Sequence, residues 1–476
     1  MLPLHELGVA ESAEAIRRGE ITATALVDTL LARHAAFGSL NSVSAIDEGA
    51  VRQAAAEADW RRARGDALGP LHGVPIAAKD NIDIAGLPTA AGTAALRGNV
   101  PSRHAAAIQA LADAGAIPFG KTGMHELAFG VTSNNAAFGP VRNPYDPSRV
   151  PGGSSGGSGA AVGARIVPAA LGTDTGASIR LPAAYCGACG FRPTVGRWPL
   201  QGIVPISATR DTAGPIARRV ADVALLDQIV TGQRAPGPRS TLAGIRLGVP
   251  RRFFWETLDA ECARLSAAAL AELEAAGAVL VDVDLSTVAG AETQIGFAIA
   301  FFEFRREFPA YLEAVGGGLD FHRVLAEIVS PDVREVLAAF ADGGDGVPEA
   351  AYRQAMTVDR PRLIAAYEQA FAENGIDALV QPTSPLLPPP IGDDATTLLE
   401  GQPVPTFLTV ARNVGPITIA GFPSLSLPIG LSATGLPVGL IFDAPFGCDG
   451  PLLSLAMAVE ALFPALPAPS PPVEIT

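Results

Sequence analysis

Hydrophobic and polar residues alternate along this chain in two periods, one typical of strands and one of helices. The run Gly73–Lys79 is apolar up to its final residue, which predicts a short buried strand that ends in a lysine. His104–Ala114 has helical spacing, and beyond Gly115 the run Ala116–Phe119 predicts another strand. Strands that alternate with helices indicate an α/β sheet that is buried on both faces.

The second half of the chain repeats this order. Its predicted strands are Ile245–Val249, Ala278–Val283, Ser424–Ile429 and Pro437–Phe442, and its predicted helices are Leu258–Ala276 and Pro451–Phe463. We expect strands from both ends of the chain to share one sheet, because no internal repeat or flexible linker separates them. The sequence therefore predicts a single domain over residues 1–476.

Two regions are predicted to be mostly helical. Residues 4–60 have helical spacing, with Ser12, Thr22 and Ser42 as predicted helix caps. Residues 286–380 show no evident strands, and we expect them to form a helical insertion that shapes a pocket. The proline-rich stretch 381–392 is predicted to be a loop or an extended segment.

One helical face of this insertion carries four phenylalanines, Phe297, Phe301, Phe304 and Phe308. A hydrophobic stripe at this spacing favours burial in a core. The alternative is that the rings form an aromatic wall of a pocket, and the spacing is compatible with both.

Composition narrows the class of protein. Hydrophobic residues make up 48% of the chain and charged residues only 17%, which favours one large core over several small domains. A net charge of −14, without any run of Lys or Arg longer than two, argues against a nucleic-acid surface. No apolar run approaches the roughly 20 residues of a membrane helix, and Met1–Glu20 lacks the apolar segment of a signal peptide.

The cysteine content predicts a reducing, cytoplasmic location, since four cysteines are too few for a disulfide framework. Cys186 and Cys189 form a C-x-x-C pair. Without a second pair or a nearby histidine, this pair predicts buried thiols rather than a metal or redox site. We therefore expect neither a metal nor a cofactor.

The most unusual stretch is PGGSSGGSG at 151–159, which is not expected in an ordinary core. Its glycines suit a loop that wraps a small ligand, before a predicted helix through Ala160–Arg165. A phosphate-binding loop would need a lysine after the glycines. A nucleophile elbow matches around Ser154 and Ser155, but it requires a preceding strand where Asn143–Pro147 predicts a turn.

A serine hydrolase also needs a base. The six histidines lie outside the glycine-rich motifs; His125 could approach a site, although a structural role as a hydrogen-bonded residue is favoured for it. A lysine can serve instead if burial lowers its pKa from ~10.4 towards ~7–8. Lys79 ends a predicted buried strand and is the candidate base.

A second serine, Ser178, follows Thr175, Gly176 and Ala177 in a predicted tight turn. Successive backbone N–H groups in such a turn can form an anion nest. Acyl transfer requires a nest of this kind, because its tetrahedral intermediate carries an oxyanion. Asp174 and Arg180 flank the turn, and we expect them to form a structural pair that holds it.

These motifs resemble those of the amidase-signature family. The matching stretches are GVPIAAKD at 73–80, GGSSGGS at 152–158 and GTDTGASIR at 172–180, in the family's order and with its separation of 24 residues between two serines. The resemblance covers about residues 65–230 and 376–463. It implies a large mixed sheet wrapped by helices, with Ser178 as nucleophile, Ser154 as bridging serine and Lys79 as base.

The resemblance also implies the rest of the site. The N–H groups from Thr175 through Gly176 and Ala177 to Ser178 would form the oxyanion hole, and Ala128 and Phe129 would lie near the acyl group. Many members have Gly-Gly-Ser where this chain has Gly-Ala-Ser. Since alanine is disfavoured at positive φ, either the backbone there suits Ala177 or its methyl trims the acyl pocket.

Within the family, the chain resembles the mandelamide and indoleacetamide hydrolases, on KTGMHELAFG at 121–130, FRPTVGR at 191–197 and TRDTAGP at 209–215. This implies hydrolysis of a small aryl-acetamide-type primary amide to carboxylate and ammonia, without a cofactor. The alternative is an amidotransferase-type catalytic subunit that acts with partner proteins. A non-catalytic binding protein is disfavoured, because Lys79, Ser154 and Ser178 are all present. The expected partner is a small amide, not nucleic acid or a membrane, and a homodimer is compatible with this composition.

Overall fold

Strands from both ends of the chain lie in one sheet, as the hydrophobic pattern predicts. The computed structural model describes residues 2–234, 236–344 and 346–472, with the backbone alone for 341–343. Its strands are β1 (Val43–Ala45), β2 (Pro75–Lys79), β3 (Ile117–Thr122), β4 (Asn134–Asn135), β5 (Gly139–Pro140), β6 (Ala169–Asp174), β7 (Cys189–Arg192), β8 (Thr212–Ala217), β9 (Arg246–Val249), β10 (Val279–Asp282), β11 (Ala378–Pro382), β12 (Thr396–Leu399), β13 (Gln402–Pro405), β14 (Ser424–Leu431) and β15 (Pro437–Asp443).

Eleven strands of this described part form one mixed sheet, in the order β1-β3-β2-β6-β8-β7-β14-β15-β11-β9-β10. Both faces of the sheet are buried: in β2, Ile76 and Ala78 belong to one hydrophobic cluster and Ala77 to another. β2 lies between β3 and β6 and is parallel to both. The carboxyl ends of these three strands therefore meet at one edge, where α/β sheets commonly bind ligands.

Helices cover the sheet. They are α1 (Val9–Arg18), α2 (Ala23–Ala36), α3 (Glu48–Ala63), α4 (Ala106–Asp113), α5 (Gly156–Gly163), α6 (Arg180–Tyr185), α7 (Val220–Thr231), α8 (Arg251–Phe254), α9 (Ala260–Ala275), α10 (Phe297–Val315), α11 (Phe321–Ala326), α12 (Pro331–Leu337), α13 (Glu349–Gln354), α14 (Arg360–Asn374), α15 (Thr406–Val410), α16 (Gly415–Ala420) and α17 (Asp449–Glu460). Across the described ranges, none of the helices is long and apolar enough to span a membrane.

Of the three predicted helix caps, only Thr22 is one. Its hydroxyl accepts from the backbone N–H of Ala25 at the start of α2. Ser12 lies inside α1, whose first N–H groups donate instead to the distant carboxylate of Asp222. Ser42 precedes the short strand β1, and Asp47 caps the next helix. These two predictions were wrong because a carboxylate brought in by the fold, or a nearer residue, supplies the cap.

The region 286–380 is mostly helical, as predicted, and contains α10 to α14. It is not free of strands, because β11 begins at its end. β11 pairs with β15 on one side and with β9 on the other, so the main sheet continues directly out of the helical region. The first two residues of the proline-rich stretch complete this strand, which agrees with the predicted extended conformation.

The glycine–serine stretch is not the open loop that the sequence suggests. Its second half is the helix α5, and every residue from 151 to 164 is buried. A Cβ at Gly157 would lie 2.4 Å from backbone atoms of Gly123, and one at Gly163 would lie 2.4 Å from the carbonyl oxygen of Cys186. Glycine is required there because the helix packs directly against other backbone, rather than against a ligand.

Candidate active site

Lys79 ends β2 and is fully buried. Its Nζ donates to Ser154 Oγ at 2.7 Å and to Thr173 Oγ1 at 2.7 Å. The parallel pairing of β2 with β6 brings Thr173 beside the lysine. Burial lowers the pKa of Lys79 to about 7, against the charges of Asp174 and Asp211, which favour the ammonium form. A large share of this lysine is therefore neutral near pH 7 and able to accept a proton.

Ser154 lies two residues before the start of α5 and follows a cis peptide bond from Gly153. Its side chain is fully buried, and its carbonyl oxygen accepts from the backbone N–H of His125 at 3.1 Å. The next residue, Ser155, binds β6 through its hydroxyl, which lies 3.2 Å from the carbonyl oxygen of Thr173. The N–H of Ser155 donates to the carbonyl oxygen of Ser178 at 3.3 Å. These bonds fix the segment of Ser154 against the segment of Ser178.

Ser178 lies in the turn between β6 and α6 and is 8% exposed. Thr175 anchors the turn, because its hydroxyl donates to Asp211 Oδ1 at 2.6 Å. Neither Gly176 nor Ala177 has a positive φ, so the backbone of this turn suits alanine. The departure from Gly-Gly-Ser therefore introduces no backbone strain.

Asp174 and Arg180 form the structural pair that the sequence predicts. Arg180 Nε lies 3.0 Å from Asp174 Oδ2, and Arg192 Nη1 lies 3.3 Å from Oδ1. Burial alone would raise the pKa of Asp174, but the two guanidinium groups and the N–H of Ile179 hold it at about 2. The carboxylate thus stays ionised and clamps the turn from β6.

A cavity of about 210 Å³ opens beside Ser178. Its wall is largely apolar, and consists of Ala128, Phe129, Gly130, Val131, Thr175, Gly176, Ala177, Ser178, Ile206, Arg210, Glu292, Phe297, Ala300, Phe301, Val336 and Phe407. Ser178 belongs to this wall, whereas Lys79 and Ser154 do not. A ligand in the cavity would therefore meet Ser178 before either of the other two residues.

The two residues expected near the acyl group, Ala128 and Phe129, both line this cavity. Ala128 has a left-handed backbone conformation, with φ of 62°, which is unusual for alanine. The ring of Phe129 stacks on Phe301, with 6.0 Å between centroids. The segment 121–130 thus delivers part of the cavity wall.

The phenylalanine stripe of α10 divides into two halves. Phe297 and Phe301 line the cavity, whereas Phe304 and Phe308 are fully buried in a hydrophobic cluster of the helical region. Both interpretations of the stripe therefore hold, each for one half. The boundary falls where the helix passes from the cavity into its own core.

Two other candidate groups are structural. His125 is buried, with Nε2 2.9 Å from Asp332 Oδ2, and its Nδ1 accepts from the N–H of Ser133 at 3.1 Å. Burial raises the pKa of the Cys186 and Cys189 thiols well above the ordinary value, which favours inert thiols. Within the described ranges, no group of three or more His, Cys, Asp or Glu side chains could hold a metal ion.

Several residues around the cavity were not found from the sequence. Thr173 was detectable as a polar residue at the end of the apolar strand β6, next to the lysine strand. Arg210 lies inside a motif that was noted only for its resemblance. Glu292 and Phe407 carry no local signal, because they reach the cavity from helical segments that are distant in sequence from Ser178.

Comparison with known proteins gives a consistent result. A family model described as Amidase matches residues 25–453. The chain is 42% identical to the indoleacetamide hydrolase of Agrobacterium vitis over 460 residues, which covers 97% of each protein. It is also 42% identical to the mandelamide hydrolase of Pseudomonas putida, with 98% of this chain and 93% of the relative covered.

Solved structures show the same similarity in three dimensions. The peptide amidase of Stenotrophomonas maltophilia superposes with a TM-score of 0.84 at 33% sequence identity, and the match covers 98% of this chain and 99% of that one. The similarity extends through the helical region and both ends of the sheet, beyond the segments whose motifs were recognised from the sequence.

Proposed function

The chain belongs to the Amidase family and hydrolyses a carboxamide, and from that premise we propose that Ser178, Ser154 and Lys79 carry out the reaction. The observation that supports this assignment most directly is the 2.7 Å contact between Lys79 Nζ and Ser154 Oγ. It places a lysine whose pKa is about 7 against a serine, in a fully buried setting close to the nucleophile's turn.

The chemistry proceeds in two halves. Neutral Lys79 accepts a proton from Ser154, which accepts one from Ser178, and Ser178 Oγ attacks the amide carbonyl carbon. The tetrahedral intermediate collapses to an acyl-enzyme as the C–N bond breaks, and the proton returns through Ser154 to the leaving nitrogen. Water then attacks the ester by the same relay, which releases the carboxylate and restores Ser178.

The oxyanion of both intermediates needs donors that are already in place. We assign this role to the backbone N–H groups of the turn Thr175, Gly176, Ala177 and Ser178. The bond from Thr175 to Asp211, together with the Asp174–Arg180 pair, supports a rigid turn. A rigid turn stabilises charge without reorganising during the reaction.

The proposed substrate is a small primary aryl-acetamide. The cavity beside Ser178 has an apolar wall with the rings of Phe129, Phe297 and Phe301, which suit an aryl group. Two relatives that cover nearly the whole chain are named for indoleacetamide and mandelamide hydrolysis. We further propose that residues 286–380, which supply Glu292, Phe297 and Phe301, shape this pocket within one domain.

An amidotransferase-type catalytic subunit is the less supported alternative, because relatives at 42% identity are named as hydrolases of small amides. A cytoplasmic location and a homodimer stay predictions from composition. No residue of the proposed reaction requires a cofactor.

Ammonia release tests the proposal. Purified protein and a Ser178→Ala variant would be incubated with phenylacetamide, mandelamide and indole-3-acetamide. We expect release that is lost in the variant, while circular dichroism shows an unchanged fold. Release that survives in Ser178→Ala would refute the nucleophile, and a folded protein that releases ammonia from none of the three would refute the substrate class.

A further inference from the structure

An ion pair stands in the largely apolar wall of the cavity. Arg210 Nη2 donates to the two carboxylate oxygens of Glu292 at 2.8 and 3.0 Å, and to Thr418 Oγ1 at 2.9 Å. Arg210 belongs to the loop before β8, and Glu292 to the π-helical turn that leads into α10. Buried charges are normally paired, as these two are, and their position in an apolar wall means that a ligand in the cavity would meet a charged group.

The pair lies beside the turn of the nucleophile. A Cβ built on Gly176 would lie 3.6 Å from Arg210 Nη2 and 3.9 Å from Glu292 Oε1. Gly176 is two residues before Ser178, and all four residues line the same cavity. An acyl group attached to Ser178 that extends into this cavity would therefore have the ion pair at its flank.

The charges of Arg210 and Glu292 compensate each other, and this favours a ligand group without a net charge. An anionic group near Arg210 would also face Glu292, and a cationic group near Glu292 would also face Arg210, so neither charge is favoured. Both oxygens of Glu292 accept from Arg210, but a carboxylate has room for about four hydrogen bonds. The Glu292 carboxylate can therefore accept a further hydrogen bond from a neutral N–H or O–H group of a ligand.

Glu292 is the accessible member of the pair. Its side chain is 15% exposed, whereas that of Arg210 is 2% exposed. The backbone of Arg210 is also held in place: its carbonyl oxygen accepts from Arg192 Nη2 at 2.8 Å, and its N–H donates to the carbonyl oxygen of Ser207 at 3.0 Å. The arginine thus holds the carboxylate in place at the cavity wall, where a bound ligand would meet it before the arginine.

We propose that Glu292, held by Arg210, is a specificity-determining residue that selects acyl groups carrying a neutral N–H or O–H donor. The inference rests on the proposed function, since it concerns the acyl group of that reaction. A hydrogen bond to a charged acceptor should favour a donor-bearing amide over an isostere by about ten- to a hundredfold in kcat/KM. The donor can be an indole N–H or a phenolic hydroxyl.

Pairs of isosteric substrates test this selection. Indole-3-acetamide would be compared with benzothiophene-3-acetamide, and 4-hydroxyphenylacetamide with 4-methylphenylacetamide, by ammonia release. We expect the wild-type protein to prefer the donor-bearing member of at least one pair by about tenfold or more. In Glu292→Gln that ratio should fall to about threefold or less, mainly through KM.

The matched control is Glu307→Gln, which changes a carboxylate of α10 that accepts from the N–H of Ala208 and lies outside the cavity wall, and it should keep the wild-type ratio. A wild-type ratio near one in both pairs would overturn the inference without any variant, and so would a ratio that Glu292→Gln leaves unchanged. Phenylacetamide, whose acyl group carries no N–H or O–H donor, distinguishes failure of this selection from failure of the proposed function. If the wild-type protein hydrolyses phenylacetamide but shows no donor preference, the selection alone fails; if it hydrolyses no amide, the proposed function fails with it.

Discussion

The hydroxyl of Thr173 lies 2.7 Å from the side-chain nitrogen of Lys79, the same distance that separates this nitrogen from Ser154. Asn81 Nδ2 donates to the same threonine hydroxyl at 3.1 Å. Thr173 therefore orients the lysine towards Ser154, since the two hydroxyls together define where the nitrogen lies. It is a positioning residue for the proposed base.

Replacing Thr173 with valine should weaken catalysis without unfolding the protein. Loss of one buried hydrogen bond, and of the partner for Asn81, predicts a drop of about tenfold in kcat with KM nearly unchanged. Initial rates with phenylacetamide would measure it. Thr122→Val is the control, because Thr122 is a buried threonine of β3, on the other side of the lysine strand, and its hydroxyl bonds Ser158 rather than the lysine. Equal loss in both variants would contradict a specific role of Thr173.

The pH dependence of kcat/KM should follow the titration of Lys79. Burial holds its pKa at about 7, and only the neutral amine accepts a proton. As pH rises through this value the neutral fraction increases, so kcat/KM should rise about tenfold per pH unit below the pKa and level off above it. Rates measured from pH 5 to 9 would locate the midpoint. A profile that is flat over this range would contradict a titrating base.

The two halves of the phenylalanine stripe should respond differently to truncation. Phe301→Ala widens the cavity and should raise KM for phenylacetamide several-fold. It should lower the free energy of unfolding less than Phe308→Ala does. Phe308→Ala empties a core position and should lower the free energy of unfolding by about 3–5 kcal/mol. Urea unfolding and steady-state kinetics on both variants would separate these effects. A raised KM in Phe308→Ala alone would contradict the assignment of Phe301 to the cavity wall and of Phe308 to the core.

Asp174→Asn should destabilise the protein strongly, because it leaves Arg180 and Arg192 buried without their shared counter-charge. The expected loss is about 3–5 kcal/mol in the free energy of unfolding. The native pKa of about 2 is below the ordinary aspartate pKa of 3.8, so this stabilisation is present above about pH 4 and is lost as pH falls through 2. Unfolding of the wild-type protein and of Asp174→Asn, measured from pH 7 down to about pH 2, would test both the loss and its pH dependence. A variant as stable as the wild-type protein would show that the pair is dispensable.

The sequence was informative where one strand or one turn carries the signal. The apolar run that ends in Lys79 and the tight turn that leads to Ser178 were recognisable because their neighbours in sequence are also their neighbours in space. Glu292 and Phe407 were not, since parts of the chain that are distant in sequence bring them to the cavity. The glycines of α5 were misinterpreted for a related reason: the backbone that passes within 2.4 Å of Gly157 belongs to Gly123, in another segment.

Burial of Lys79 also determines which electrophilic compounds can modify the protein covalently. An amine with a pKa of about 7 is partly neutral near pH 7 and therefore nucleophilic, and on a surface it would react with dissolved aldehydes, cyanate or activated esters. Here such compounds reach Ser178 first, because the lysine has no exposed surface and lies outside the cavity wall. Burial thus shields this nitrogen from such reagents. Covalent inhibitors of this site should therefore label the serine and spare the lysine.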